Sequence, residues 1–210
     1  MPLTRAQLDA VRGTGLAETV APGTRLLFVG VNPGLRSAAV QAPFALRSNR
    51  FWPALFRSGI LDRDIVTTNG WRSEDRAHVL ARGIGITSLV AGATARAAEL
   101  TAAELIAGAE AFTARMARQP PRKIAMLGVT AYRIAFRRPR AVLGEQPDRI
   151  ADVPVWIVPN PSGLNAHATL ASITAAYREV AIAAGIDVLE PQVGGVNLDA
   201  AGENAGAAGG

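Results

Sequence analysis

The chain has no cysteine among its 210 residues. That absence removes disulfides, thiolate metal sites, iron–sulfur clusters and a cysteine nucleophile together. Histidine is almost as scarce, with His78 and His167 alone, so a histidine-rich zinc site is not expected. Long apolar runs are missing too. The first twenty residues carry Arg5, Asp9, Arg12 and Glu18, which break up any signal-peptide core, and no later stretch is apolar enough to span a bilayer. A cytoplasmic protein without a membrane partner is expected.

Positive charge is in excess. The formal net charge is +5, and the last 22 residues hold Glu190, Asp199 and Glu203 with no cation; setting those three acids aside, the first 188 residues stand at +8. A basic body suits a polyanionic partner. Genomic bias is the competing explanation, because Lys123 is the only lysine and arginine supplies every other side-chain cation.

Four apolar, branched runs read as strands: "RLLFVGV" (25–31), "GITSLV" (85–90), "KIAMLGV" (123–129) and "VPVWIVP" (153–159). Helical patterns separate them, and continuous rather than alternating apolarity predicts strands covered on both faces, hence an α/β sandwich with a largely parallel central sheet. Thr101 and Glu104 have capping-box spacing, Thr130 can cap "AYRIAFRR" ahead of Pro139, and Thr169 can start a last helix that Gly185 ends. Ser48 resembles a cap for "NRFWPALFRSG", but Pro53 moves the expected start towards Arg50. Residues 1–20 form a short extension with at most one amphipathic helix, 21–188 one domain, and 189–210 a Gly/Ala-rich tail with too little bulky apolar surface to order itself.

Ligands of open α/β sheets bind at the carboxyl ends of strands. Two such ends are unusual here: "GVNPGLRSAAVQAPFALRSNRFW" (30–52) and "NPSGLNAH" (160–167). In the first, Gly30 and Gly34 allow close backbone approach, while Pro33 fixes its own φ and biases Asn32 towards an extended conformation. The Asn32 amide is thereby held in one place. It offers a donor and an acceptor but no titratable base, so it can orient a water or read a carbonyl and N–H edge. No Asp or Glu occurs from Gly30 to Trp52. An ordinary turn is the plainer reading of Asn-Pro-Gly, and core is the plainer reading of Phe44, with a stacking platform as the alternative. Neither a Walker ending nor a GxGxxG run is present. In the second loop Leu164 stands between Gly163 and Asn165, either folded back under the next helix or exposed as a wedge of the kind that enters a base stack.

"GVNPGL", then "PFALRSNRFW", and "NPSGLN" about 125 residues later resemble the mismatch-specific uracil/thymine DNA glycosylases, the bacterial branch of the uracil-DNA glycosylase superfamily. The resemblance runs from Pro22 to Ala184, more weakly through 83–100 and 123–132. It implies a three-layer α/β/α fold over 21–188. The activity implied is that of a cofactor-free and metal-free monofunctional glycosylase that excises uracil opposite guanine in double-stranded DNA, acting in base excision repair as a nucleoid-associated monomer. By motif, Asn32 positions the attacking water and Phe44 stacks on the flipped base. Backbone groups around Val31, Gly34 and Phe44, with Ser37, read or shape the pocket. Asn160 helps hold the site, Leu164 is the wedge, and the backbone at Gly163 and Asn165 contacts the widowed guanine.

Two positions depart from the family pattern. Ala166 stands where an Arg is expected after the wedge, leaving His167 as the nearest substitute, and Ser88 replaces a Lys or Asn in the "GIT" strand. Cations for the DNA backbone are expected from Arg36, Arg47 and Arg50, with Arg133, Arg137, Arg138 and Arg140 as a second group. Three competitors remain: a glycosylase of another branch with single-strand or broader uracil preference, a non-catalytic damaged-base binding module, and a nucleotide enzyme, for which no phosphate cradle is visible.

Overall fold

The computed structural model describes residues 3–190, so the tail expected at 189–210 lies, from 191 on, outside the described residues. Five strands form one sheet in the order β2-β1-β3-β5-β4: β1 (Leu26–Gly30), β2 (Ile84–Ser88), β3 (Lys123–Leu127), β4 (Gly144–Ile150) and β5 (Val153–Val158). β2, β1, β3 and β5 run parallel, and β4 pairs antiparallel with β5. Among the described residues seven α-helices accompany them: α1 (Arg5–Asp9), α2 (Leu35–Val40), α3 (Phe51–Arg57), α4 (Ser73–Ala81), α5 (Ala102–Arg118), α6 (Val129–Ala135) and α7 (Leu170–Ala183).

The pleat explains the four apolar runs. In β1, Leu26 and Phe28 enter a core with Phe51 and Leu55 of α3, Val79 of α4, and Ile173, Tyr177 and Val180 of α7. Leu27 and Val29 face the other way, towards Leu105, Phe112 and Met116 of α5 and Tyr132 of α6. Both faces are covered, so alternation has no reason to appear. The result is the expected mixed α/β architecture with a mostly parallel central sheet. Each fully buried large side chain contributes about 1.5–3 kcal/mol relative to exposure.

The sequence reading passed over β4. Its residues "GEQPDRI" alternate between part-buried and exposed, and Pro147 sits in its middle. An edge strand tolerates both, since its outer N–H groups have no ladder partner to lose. At the opposite edge, Thr19 bridges Ile86 in both directions, its N–H donating at 2.9 Å and its carbonyl accepting at 2.7 Å. Leu8 and Val11 of the N-terminal segment pack on Leu35, Ala38 and Ala93.

Helix starts follow the caps with one correction. Thr101 closes the expected capping box with Glu104, Thr169 starts α7 as expected and closes a further one with Ser172, and Gly185, with φ +74°, follows α7. α3 starts at Phe51, with Arg50 in the cap position and the Asn49 carboxamide oxygen accepting from Phe51 N at 3.0 Å. Pro53 is then the third helical residue, where an N–H has no helical partner to reach. Thr130, however, is not the cap of α6. The helix begins one residue earlier behind Gly128, whose φ is +108°. A Cβ there would lie 3.2 Å from Asn160 Cβ, so glycine is what lets the end of β3 pass beneath the second loop.

Candidate active site

The loops after β1 and β2 are tied together before either turns away. Leu89 N donates to Gly30 O and Val90 N to Val31 O, each at 2.9 Å, and Thr94 N and Leu35 N form reciprocal bonds with Pro33 O and Thr94 O at 3.2 Å. Asn32 sits half-buried in this junction. Its Nδ2 donates to Gly92 O at 2.9 Å and to Thr94 Oγ1 at 2.8 Å, and the Thr94 hydroxyl donates onward to Arg96 O at 2.8 Å. A carbonyl only accepts, so the amide nitrogen must face Gly92 and Oδ1 is fixed on the other side. Among the described residues nothing donates to Oδ1. The side chain therefore presents a rigid acceptor that carries no titratable proton.

Phe44 adopts φ +55°, the left-handed region that a bulky residue enters only when its surroundings hold it there. The hold comes from Ser37, buried in α2, whose Oγ accepts from Ala45 N at 3.1 Å while its carbonyl accepts from Ala42 N at 3.1 Å. The Phe44 ring stacks on Phe51 at 3.9 Å between centroids and 26° between planes. Its edge lies over Gly30, 3.7 Å from where a Cβ would stand. Phe44 is neither sealed in the core nor free: it is half-buried, with one face backed by another aromatic. The backbone N–H groups of Asn32, Gly34 and Phe44 meet no acceptor among the described residues.

The second loop is a set of nested turns. Asn160 Oδ1 accepts from Ser162 N at 2.9 Å, Asn165 Nδ2 returns to Asn160 O at 2.9 Å, and Asn165 N donates to Ser162 O at 2.9 Å. Leu164 projects from the tip and is 80% exposed, not folded back under α7. Arg50 binds this loop from the first. Its backbone N donates to Pro161 O at 2.9 Å, and its guanidinium donates to Ser162 O at 2.5 Å, Asn165 O at 3.0 Å and Ala168 O. A Cβ on Gly163 would lie 2.8 Å from Ser48. The loops after β1 and β5 thus touch across the end of β3.

Residues 17–183, a span containing both loops and all five strands, match the family model described as the uracil DNA glycosylase superfamily. The chain belongs to that superfamily. Its fold is also similar to that in a solution NMR structure from Methanosarcina acetivorans described as a candidate uracil DNA glycosylase, with 14% identity, a TM-score of 0.50, and coverage of 80% of this chain and 98% of that one. At that identity the likeness concerns the fold. Superfamily membership places the chain among the DNA glycosylases, hydrolases of DNA repair.

For a glycosylase the placement of the arginines matters. Arg50, expected on the DNA backbone, is occupied by loop carbonyls, and Arg36 donates to Thr68 O at 2.5 Å. Arg47 is exposed and has no protein partner among the described residues. In the second group, Arg138 pairs with Asp148 at 2.6 Å and Arg133 donates to Ala141 O at 2.8 Å, whereas the Arg137 and Arg140 side chains are unpaired among the described residues. The Asn165 backbone, expected at the widowed guanine, is engaged on both sides by Ser162 and Arg50, and Val31 O is taken by Val90 N. Gly163 remains exposed, as do Ala166 and His167. A cleft of about 380 Å³ opens beside Pro43 and Trp71, and neither Asn32 nor Phe44 lines it. Among the described residues no group of three His, Asp or Glu side chains could hold a metal ion, and no helix is long and apolar enough to cross a membrane. Sequence reasoning missed Thr94 and Gly92; the signal was a hydroxyl in the loop after β2, at the same sheet end as Asn32.

Proposed function

We propose that the chain is a monofunctional DNA glycosylase that everts uracil from G·U-type mismatches and hydrolyses its N-glycosidic bond, leaving an abasic site. The observation that carries this reading is the fixed Asn32 carboxamide. Water donating to Oδ1 turns a lone pair towards the sugar carbon. The C–N bond breaks with its electron pair leaving on uracil, the water oxygen bonds to the sugar carbon, and the water's proton passes to solvent because an amide cannot take it. Unsatisfied N–H groups at Asn32, Gly34 and Phe44, with the Asn160 Nδ2, are donors suited to the negative charge growing on the base oxygens. The half-buried Phe44 ring, backed by Phe51, suits a stacked pyrimidine, and the exposed Leu164 suits the place it vacates.

A second reading has its own observation. Ala166 supplies no cation after the wedge, and the Asn165 backbone is turned inward, so the grip on the opposite guanine is reduced and a broader uracil preference, including single strands, is favoured. Excision assays on G·U, A·U, single-stranded U, G·T and ethenocytosine substrates, scored after alkali cleavage, separate the readings. Preference for G·U over A·U and single strands supports the first; equal cutting supports the second. Cutting of none leaves a damaged-base binding module.

A further inference from the structure

We propose that Leu46 and Arg47 form a second probe of the DNA duplex, carried on the loop that is tied to the Leu164 loop, that presses on the base step flanking the everted nucleotide while Arg47 takes the adjoining phosphate. The proposal rests on the glycosylase reading above and adds a contact to it. Leu46 is 53% exposed although it follows Ala45, which is fully buried. The chain leaves Phe44 through the anchored Ala45, whose N–H is held by Ser37, and surfaces at an apolar tip. Asn49 N donates to Leu46 O at 2.8 Å and closes the turn.

That turn cannot move independently of the wedge. Ser48 lies against Gly163 closely enough to exclude a Cβ, and Arg50, one residue past the turn, holds the carbonyls of Pro161, Ser162 and Asn165. Two exposed leucines, at 46 and 164, are therefore carried on one rigid unit. An apolar tip with an unpaired cation beside it is a poor match for a protein interior, where that charge would lose its water without gaining a partner. It matches stacked bases edged by phosphates. Arg36 and Arg50 already donate to backbone carbonyls, so Arg47 is the cation of residues 30–52 left for that phosphate, and no acid in this stretch competes for it.

The test uses Leu46→Ala, Leu46→Met and Arg47→Gln in the full chain, with 2-aminopurine placed next to the uracil of a G·U duplex. Leu46→Ala is expected to lose most of the fluorescence rise on binding and to bind duplex about tenfold more weakly, with affinity for the matching single strand unchanged; Leu46→Met retains both. Arg47→Gln is expected to reduce the slope of log affinity against log salt by about 0.9 on duplex. An unchanged fluorescence rise in Leu46→Ala, or equal losses on duplex and single strand, overturns the proposal. Failure of the wild-type chain to release uracil from any substrate sinks the glycosylase reading instead, and the fluorescence measurement does not depend on it.

Discussion

The Asn32 amide donates to a Thr94 hydroxyl whose own proton is committed to Arg96 O, so Thr94 can serve Asn32 only as an acceptor. The direction of the relay is set by the carbonyl at its far end. Replacing Thr94 with Ala frees one Nδ2 proton and lets the carboxamide rotate about its remaining bond to Gly92. Losing one neutral hydrogen bond of about 1 kcal/mol predicts a fall in the excision rate of about fivefold. Substrate affinity should hold, and Thr94→Ser should recover the rate. A Thr94→Ala enzyme with wild-type single-turnover kinetics would show that Asn32 needs no such support.

Substitution of Asn32 itself distinguishes aiming from basicity. Asn32→Ala should lower excision by about 100-fold or more while leaving duplex binding intact, as expected when a group acts mainly on the transition state. Asn32→Asp places an oxygen against Gly92 O, which currently accepts from Nδ2 at 2.9 Å. That contact favours the protonated acid and pushes its pKa up. Activity of Asn32→Asp should therefore rise with pH as the carboxylate forms, where the wild-type profile stays flat. Parallel profiles for the two enzymes would argue against Oδ1 as the group that orients water.

The central sheet was legible because burial on both faces demands unbroken apolar runs, and the two loops were legible because Asn-Pro-Gly and Asn-Pro-Ser-Gly stand out at strand ends. β4 was not, since an edge strand with Pro147 carries neither periodicity nor apolarity. The fates of the arginines were also hidden. Arg36, Arg47 and Arg50 look alike in a basic loop, but whether a guanidinium meets solvent or a carbonyl depends on residues distant in sequence, 32 positions away for Arg36 and Thr68 and 112 for Arg50 and Ser162. Thr94 escaped notice for the same reason: its partner Asn32 lies 62 residues earlier.

Arg50 is the joint between the two loops, and its planar fork suits several carbonyls at once. Arg50→Ala should destabilise the fold by about 2–4 kcal/mol, since hydrogen bonds from charged donors are individually worth about 1.5–3 kcal/mol and act here as a unit. Arg50→Lys should recover only part, because a point charge cannot reach Ser162, Asn165 and Ala168 together. Hydrogen exchange provides the local readout, with faster exchange expected in residues 161–168. The global loss speeds exchange throughout the chain, so the clamp is contradicted if residues 161–168 accelerate no more than the central strands.

Tyr177 links the same region to alkaline stability. Its ring packs against Phe28 at 5.1 Å and Phe51 at 5.9 Å between centroids, and its hydroxyl is buried with no hydrogen-bond partner among the described residues. Burial pushes the phenol pKa well above its ordinary value of 10.0, with the nearby Arg50 charge opposing weakly. Below pH 10 both folded and unfolded chains hold the proton, so the group's contribution is fully present. Above it the unfolded chain ionises first, and stability is lost as pH climbs towards the folded pKa. Tyr177→Phe removes both the unsatisfied donor and this titration. Urea melts should show a gain of up to about 1 kcal/mol at pH 7, and a decline between pH 10 and 11.5 shallower than that of the wild type. A loss above 1 kcal/mol at pH 7 would reveal a partner for the hydroxyl and remove the argument.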